Sequence, residues 1–320
     1  MTQPAEESSS FILHPSSLDA GKRLDAFLAE TIEGWSRSRL QRLIENGDVL
    51  VNEKGVKASY RIRESDEIDV DLTEEPAATF EPEDIPLDIV YEDEYLAVIN
   101  KPAGMIVHPG AGAQNGTLAN AIAWHFEIRN PKSEIRNRIG IVHRLDKDTS
   151  GLIVVAKDEQ THEALSEQFR TRKVFKSYVA LVHGNPRENS GTIDRPIARD
   201  RWHRTKMTVA ANGRHALSIW KVRQRFEKFA LLDVEIKTGR THQIRVHLAS
   251  INHPVVGDGT YNEGRDNTIA DHEIKRAVET LNRFFLHAER LSFTHPVSRE
   301  RMEFIQPIPA ELEELLAKLR

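Results

Sequence analysis

Two β-branched apolar runs, Ile139-Gly140-Ile141-Val142 and Leu152-Ile153-Val154-Val155-Ala156, enclose a dense polar insert, His143 to Gly151. The pattern predicts strand, loop, strand, with the polar groups held between rigid elements. Upstream, Leu24, Phe27, Leu28 and Ile32 recur at helical spacing. Gly34 interrupts, and Leu40, Leu43 and Ile44 mark a second helix that Ser36 or Ser38 can cap. Val49 to Val51 and the alternating Ile68, Val70 and Leu72 read as short strands. Ile89 to Tyr91 and Leu96 to Ile99 flank Glu92-Asp93-Glu94 as a hairpin, and Thr117 can cap a helix bearing Leu118, Ala121, Ile122 and Trp124. Beyond the polar insert, residues 159–171 predict a helix with Leu165 and Phe169 inward, and Val174 to Val182 a strand. Strands follow at 216–222 and 230–236, then a helix entered near Thr241. A partly helical excursion spans 262–283, final strands fall at 287–293 and 302–305, and Pro309 opens a C-terminal helix.

These elements group into four segments. Residues 1–17, rich in Ser, Glu and Pro, predict a disordered tail. Residues 18–73 form a small helix-helix-strand module, and residues 74–86 an acidic, Pro-bearing linker. Residues 87–320 form a larger domain whose many strands and irregular helices favour an α+β class over repeated βαβ units. No apolar run reaches the length of a membrane span, and the N-terminus lacks the basic start and apolar core of a signal peptide. The absence of cysteine removes disulfides, thiolate metal sites and a Cys nucleophile, in keeping with a cytoplasmic protein. A net charge of −5 argues against nucleic acid until its distribution is read. Residues 64–94 carry fourteen acids and no Lys or Arg, so the remainder is net basic, and residues 195–225 hold nine Lys or Arg against one Asp.

Within the polar insert, Asp146 is the acid nearest Arg144, and Thr149, Ser150 and Gly151 are turn formers. Spacing alone leaves a capped surface turn as good a reading as a reactive carboxylate. On the small module, Arg37, Arg39 and Arg42 lie on or beside the second helix, as a solubilising face or an RNA contact. In the basic stretch, Trp202 and His203 sit among Arg199, Arg201, Arg204 and Lys206, a mixture suited to phosphates and stacked bases. His242 and His247 are five apart with no carboxylate between them, which argues against a zinc pair. Phosphate-loop, dinucleotide and zinc signatures are absent, so no cofactor and no metal is expected.

The run His-Arg-Leu-Asp-x-x-Thr-Ser-Gly, seven specified residues in nine, resembles the catalytic motif of the RluA family of RNA pseudouridine synthases. Arg23 to Leu72, with SRSRLQRLIENGDVLVN, resembles the S4 RNA-binding domain, and GRTHQIRVHL resembles a second RluA-family motif. The resemblance implies a mixed, largely antiparallel central sheet with the active cleft across it. It implies Asp146 as the catalytic group, Arg245 as its basic partner, Tyr178 stacked on the target base and Leu248 beneath it. Arg144 would fill the gap left by a flipped nucleotide or meet a phosphate, and Arg240 and His242 would face RNA with the basic stretch. Within the family, the S4-like module, the PGAG loop at 109–112 and the HRTKM segment at 203–207 together are similar to the D type acting on large-subunit rRNA, the C type being the alternative.

Uridine and pseudouridine are isomers, so the implied reaction needs no redox partner, no water and no phosphate donor. One carboxylate acts at the ribose, either attacking C1′ or removing the 2′ proton. The target must leave its stack first. A monomer acting on RNA is expected. Two other classes stay open on residues alone: a non-catalytic S4-type RNA-binding protein, and a metallohydrolase suggested only by fourteen scattered histidines.

Overall fold

The apolar runs become strands whose alternate side chains enter different cores. A computed structural model describes residues 9–32, 35, 37–72, 81–109, 115–129, 140–203 and 206–320 (for 9–11, 38, 39, 42, 46 and 127–129, the backbone only). The chain divides into two units, Met1–Ala78 and Thr79–Arg320.

The first unit contains β1 (Ser9–Leu13), α1 (Leu24–Thr31), α2 (Arg37–Asn46), β2 (Val49–Val51), β3 (Lys54–Gly55) and β4 (Ile68–Leu72). Its antiparallel sheet runs β1-β4-β2-β3. Leu24, Phe27 and Leu28 of α1 and Leu40, Leu43 and Ile44 of α2 bury against Val49, Val51, Ile68 and Val70. β1 corrects the expected disordered tail. The apolar Phe11-Ile12-Leu13 run closes the edge of β4 by backbone pairing, an ordering that a polar composition conceals. Asp25, fully buried on α1, accepts hydrogen bonds from Arg23 (2.9 Å), Arg37 (3.0 Å) and Gln41 (2.5 Å), and so ties α1 to α2.

The second unit begins with β5 (Asp88–Glu92), β6 (Leu96–Lys101) and α3 (Leu118–Arg129). β7 (Gly140–Ile141), β8 (Ser150–Ala156), α4 (Glu159–Arg170) and β9 (Phe175–His183) follow. Then come β10 (Ser190–Asp194), β11 (Ile197–Arg199), β12 (Met207–Val209), β13 (Leu217–Arg225) and β14 (Phe229–Ile236). α5 (Gln243–Ser250), α6 (His272–Leu281), β15 (Leu286–Thr294), β16 (Arg301–Ile305) and α7 (Ala310–Leu319) complete it.

The large sheet runs β10-β13-β14-β9-β15-β8-β6-β5, with β16 on β15 and β7 on β8. β15 pairs with β8 in parallel, and the other pairs are antiparallel. This is the mixed, largely antiparallel sheet of an α+β protein. Tyr178, Ala180 and Val182 of β9 enter the core under α3 and α5, whereas Val179 and Leu181 enter the one under α6 and α7. Both faces are thus covered, which explains the near-continuous apolar runs.

Half of the expected linker is not free. Residues 81–86 dock at the start of α3, where the Glu83 carboxylate accepts the Gly116 N–H at 2.9 Å and Asn120 Nδ2 donates to Glu81 O at 2.8 Å. A carboxylate is favoured at this positive helix end. Residues 73–80 lie outside the described residues.

Arg23, and with it Arg37 and Gln41, holds the Asp25 carboxyl well below its ordinary range against the opposing effect of burial. A depressed carboxylate stabilises the fold above its unfolded pKa and loses that contribution as pH falls. Asp25→Asn should therefore cost about 1.5–3 kcal/mol of first-unit stability at neutral pH. Thermal unfolding at neutral and acidic pH will read this, and the gap to the parent should close on acidification.

Candidate active site

The polar insert is held by one close backbone approach and by buried side-chain bonds. At its exit, Gly151 (φ +112°) begins β8 directly against β15. A Cβ at Gly151 would lie 2.3 Å from Ala288 O, so only glycine permits this approach. Ser150 Oγ accepts from Arg283 Nη2 and donates to His287 Nδ1, both at 2.9 Å. These side-chain bonds fix the loop where turn chemistry had been expected. Leu145 anchors it in the core, and the Thr149 N–H donates to Asp146 O at 3.1 Å.

Lys101, which the sequence reading passed over, clamps the same loop from β6. Its Nζ is fully buried and donates to Pro102 O (2.7 Å), Met105 O (2.8 Å) and Lys147 O (3.0 Å). Burial and the Arg283 charge push its pKa down to about 7. The signal was a lysine ending an apolar strand just before a Pro-Gly turn.

The carboxylate of Asp146 receives Arg245 Nη1 at 3.1 Å. Arg245, only 6% exposed on α5, is gripped from behind by Asp258, which takes Nε at 2.7 Å and Nη2 at 2.8 Å. Its guanidinium lies over the rings of Phe284 (4.3 Å) and Tyr261 (5.0 Å). Burial works against the charge, and the hydrogen bond and charge of Asp258, with help from Asp146, more than offset it. Gly257 lets Asp258 reach this position. Its φ is +79°, and a Cβ there would lie 2.3 Å from Arg283 O.

α5 itself is pinned by polar side chains. Gln243 accepts from Thr238 Oγ1 and Arg240 N and donates to Leu217 O and Ser218 Oγ. Ser218 Oγ then donates to His247 Nδ1, whose Nε2–H donates to Arg195 O. His242, at the left-handed N-cap of α5, accepts from the Tyr261 hydroxyl at 2.7 Å, and that hydroxyl accepts from Met207 N at 2.8 Å. The two histidines thus serve hydrogen-bond chains.

Asp146 lies between two openings. A cleft of about 1010 Å³ on one side is lined by His108, Arg144, Asp258 and Phe284. A pocket of about 520 Å³ on the other is lined by Tyr178, Ile244, Leu286, Phe169 and Lys176. Burial and the nearby Asp146 raise the Tyr178 phenol above its ordinary pKa, so it presents a neutral ring. Leu248, expected beneath the target base, is instead a core residue of α5, 1% exposed, and Ile244 one turn earlier lines the pocket. The helical phase places both inward, but only Ile244 is near enough to the helix start to reach the opening.

The basic stretch forms a ribbon of β11 and β12, not a plain loop. Asp200 Oδ1 accepts the N–H groups of Trp202 and His203, both at 2.8 Å, which displays Trp202 at 87% exposure between exposed Arg201 and His203. Arg199 is exposed on β11, Lys206 Nζ donates to Thr260 O at 2.9 Å, and Arg204 lies outside the described residues. Arg240 donates to His215 O and lines the smaller pocket, while Arg144 is exposed at both openings. On α2, Arg37 is half exposed with one nitrogen on Asp25, and the side chains of Arg39 and Arg42 lie outside those described. A carboxylate steered by a buried arginine, beside an aromatic pocket and a basic ribbon, can act as base or nucleophile on a nucleotide drawn in from a strand.

Comparison with known proteins gives this arrangement a family. The profile described as RNA pseudouridylate synthase matches residues 95–250, and the S4 domain profile matches residues 22–68. The chain is 40% identical over 325 residues to the ribosomal large subunit pseudouridine synthase D of Xanthomonas campestris pv. campestris, spanning 100% of this chain and 95% of that one. It is 42% identical over 299 residues to an uncharacterized RNA pseudouridine synthase of Bacillus subtilis, spanning 93% and 94%. Among solved structures, human RNA Pseudouridylate Synthase Domain Containing 4 superposes with a TM-score of 0.59 at 27% identity, covering 72% of this chain and 92% of that one.

The Arg245 geometry sets an order of stabilities. Asp258 accepts two hydrogen bonds from Arg245 at 1% side-chain exposure, whereas Asp146 accepts one from it at 18%. Asp258→Asn should cost on the order of 3 kcal/mol by stranding a buried cation, and Asp146→Asn about 1 kcal/mol. Denaturant midpoints of the second unit will test that order.

Proposed function

Because the chain belongs to the RluA family of RNA pseudouridine synthases and carries an S4 domain, we propose that it converts specific uridines of large-subunit rRNA to pseudouridine through Asp146. The observation that carries the residue assignment is the Asp146 carboxylate, oriented by the buried Arg245 at the mouth of the Tyr178 pocket. The rRNA target is supported by the full-length likeness to enzymes named for the large ribosomal subunit, in Xanthomonas campestris and, at 40% identity, in Escherichia coli K12. Such a substrate implies work in the cytoplasm.

The chemistry follows from the arrangement. The target uridine flips out of its stack and its base enters against Tyr178, with Ile244 and Leu286 lining the pocket. Stacking on one aromatic face is worth about 1–3 kcal/mol and tolerates in-plane rotation. Asp146 then either attacks C1′ or takes the 2′ proton, and the bonding pair of C1′–N1 leaves with the base. The base turns and C5 donates a pair to C1′. This either breaks the Asp146–C1′ bond and frees the carboxylate or, in the other route, is matched by return of the 2′ proton from Asp146 to C2′. The C5 proton then passes to water and N1 takes one up, so no proton is gained or lost overall. Arg144, exposed at both openings, would enter the vacated stack or meet a phosphate. The ribbon around Trp202 and the S4 domain supply the remaining RNA contacts.

Asp146→Asn is expected to abolish isomerisation at a defined uridine under single-turnover conditions, with RNA affinity within a few-fold of the parent. An amide keeps the size but is a poor base and a poor nucleophile. Asp148→Asn, at a position the motif leaves variable, should retain most activity. Turnover by Asp146→Asn near the parent rate would show that the catalytic group lies elsewhere. For the substrate, mapping pseudouridine in rRNA of a strain lacking this protein should reveal missing sites in the large subunit. An intact large-subunit map together with lost sites in tRNA would redirect the assignment.

A further inference from the structure

Lys176 is on β9 two residues before Tyr178, so the pleat turns both side chains toward the smaller pocket. Its Nζ sits 5.2 Å from the centre of the Phe169 ring. Among the described residues, it has no hydrogen-bond acceptor and no ion-pair partner. The other cations lining this pocket are engaged or wet. Arg170 pairs with Glu167, Lys237 with Glu235, Arg240 with His215 O and Arg245 with two carboxylates, while Arg144 is exposed. His143 cannot supply charge. Its Nε2 accepts the Val154 N–H at 3.1 Å, its ring stacks on Phe169 at 4.6 Å, and burial with the Lys176 charge pushes its pKa down to about 3.

A half-buried cation that has a ring beside it but no hydrogen-bond acceptor or counter-ion is poorly compensated unless a ligand supplies one. Breaking C1′–N1 supplies such a partner by either route, because the bonding pair passes to N1 and spreads over O2 and O4. The uracil is then an anion inside an aromatic pocket. We propose that Lys176 is a catalytic residue of the isomerisation, donating a hydrogen bond to a uracil carbonyl oxygen and stabilising the uracil anion between cleavage and reattachment. It exchanges no net proton, since the charge is discharged when C5 attacks C1′. Burial pushes the Lys176 pKa down to about 8, which leaves it mostly protonated at neutral pH and strengthens it as a donor. This inference rests on the pseudouridine synthase reading of the pocket and adds a site for the charge of the departing base.

The test uses the full chain and an RNA with one target position, bearing either uridine or 5-fluorouridine. Fluorine makes the base a more stable anion, so cleavage then depends less on an external cation. Lys176→Met should slow single-turnover loss of uridine by about 10²- to 10³-fold, as for removal of one oxyanion donor. RNA affinity should be unchanged, the defect should shrink on 5-fluorouridine, and Lys176→Arg should recover part of the rate. If Lys176→Met lowers the melting temperature, Lys176→Gln carries the same comparison. A rate equal to the parent's overturns the proposal. So does an equal defect on both bases, which makes Lys176 a packing residue, and so does lost affinity with an intact saturated rate, which makes it a phosphate contact. Asp146→Asn on the same RNA reports separately on the carboxylate, so failure of either assignment is recognised on its own.

Discussion

One buried guanidinium shared by two carboxylates organises the second unit. Arg245 must be neutralised to be buried at all, and Asp258 does most of this with two bonds from behind. That leaves one nitrogen for Asp146, enough to aim the carboxylate without enclosing it. The division of labour explains why the aiming partner is an arginine. A planar fork bonds on two edges at once and stacks on Phe284 and Tyr261, which an ammonium cannot do.

A second chain of hydrogen bonds links this centre to the surface that would meet RNA. Tyr261 lies against Arg245, and its hydroxyl joins His242 to the backbone of Met207, the first residue of β12. His247 holds the other side through Arg195 O, just before β11. The ribbon bearing Trp202 is therefore built on the same helix that presents Arg245. The two histidines, whose spacing had argued against a zinc pair, are in this fold links in hydrogen-bond chains.

Much of the fold was legible because its signals are periodic. Apolar alternation marked the hairpin of β5 and β6 and the strands around Asp146, and the helical spacing of Leu24 to Ile44 marked the first unit. Asp146 and Arg245 were legible because their motifs resemble a known family, and spacing alone left a surface turn equally open. What escaped the reading depends on contacts remote in sequence. β1 is ordered by pairing with β4 some sixty residues on, Lys101 finds Lys147 O across the loop, and Ile244 in place of Leu248 at the pocket follows from where α5 begins. Gly151 read as a turn former, but its reason is the backbone of Ala288, which no local pattern reveals.

The parallel seam between β8 and β15 has a consequence for how the molecule comes into being. The loop bearing Asp146 is completed by Arg245, 99 residues later, and by His287 against Ser150, 137 residues later. Contacts of such long span close slowly, after the local ones. The first unit, by contrast, pairs its described strands within its own 78 residues. On the ribosome, domains fold in the order in which they emerge. The nascent chain therefore completes its S4 domain well before Asp146 can meet Arg245, and the module for recognition matures ahead of the second unit's cleft.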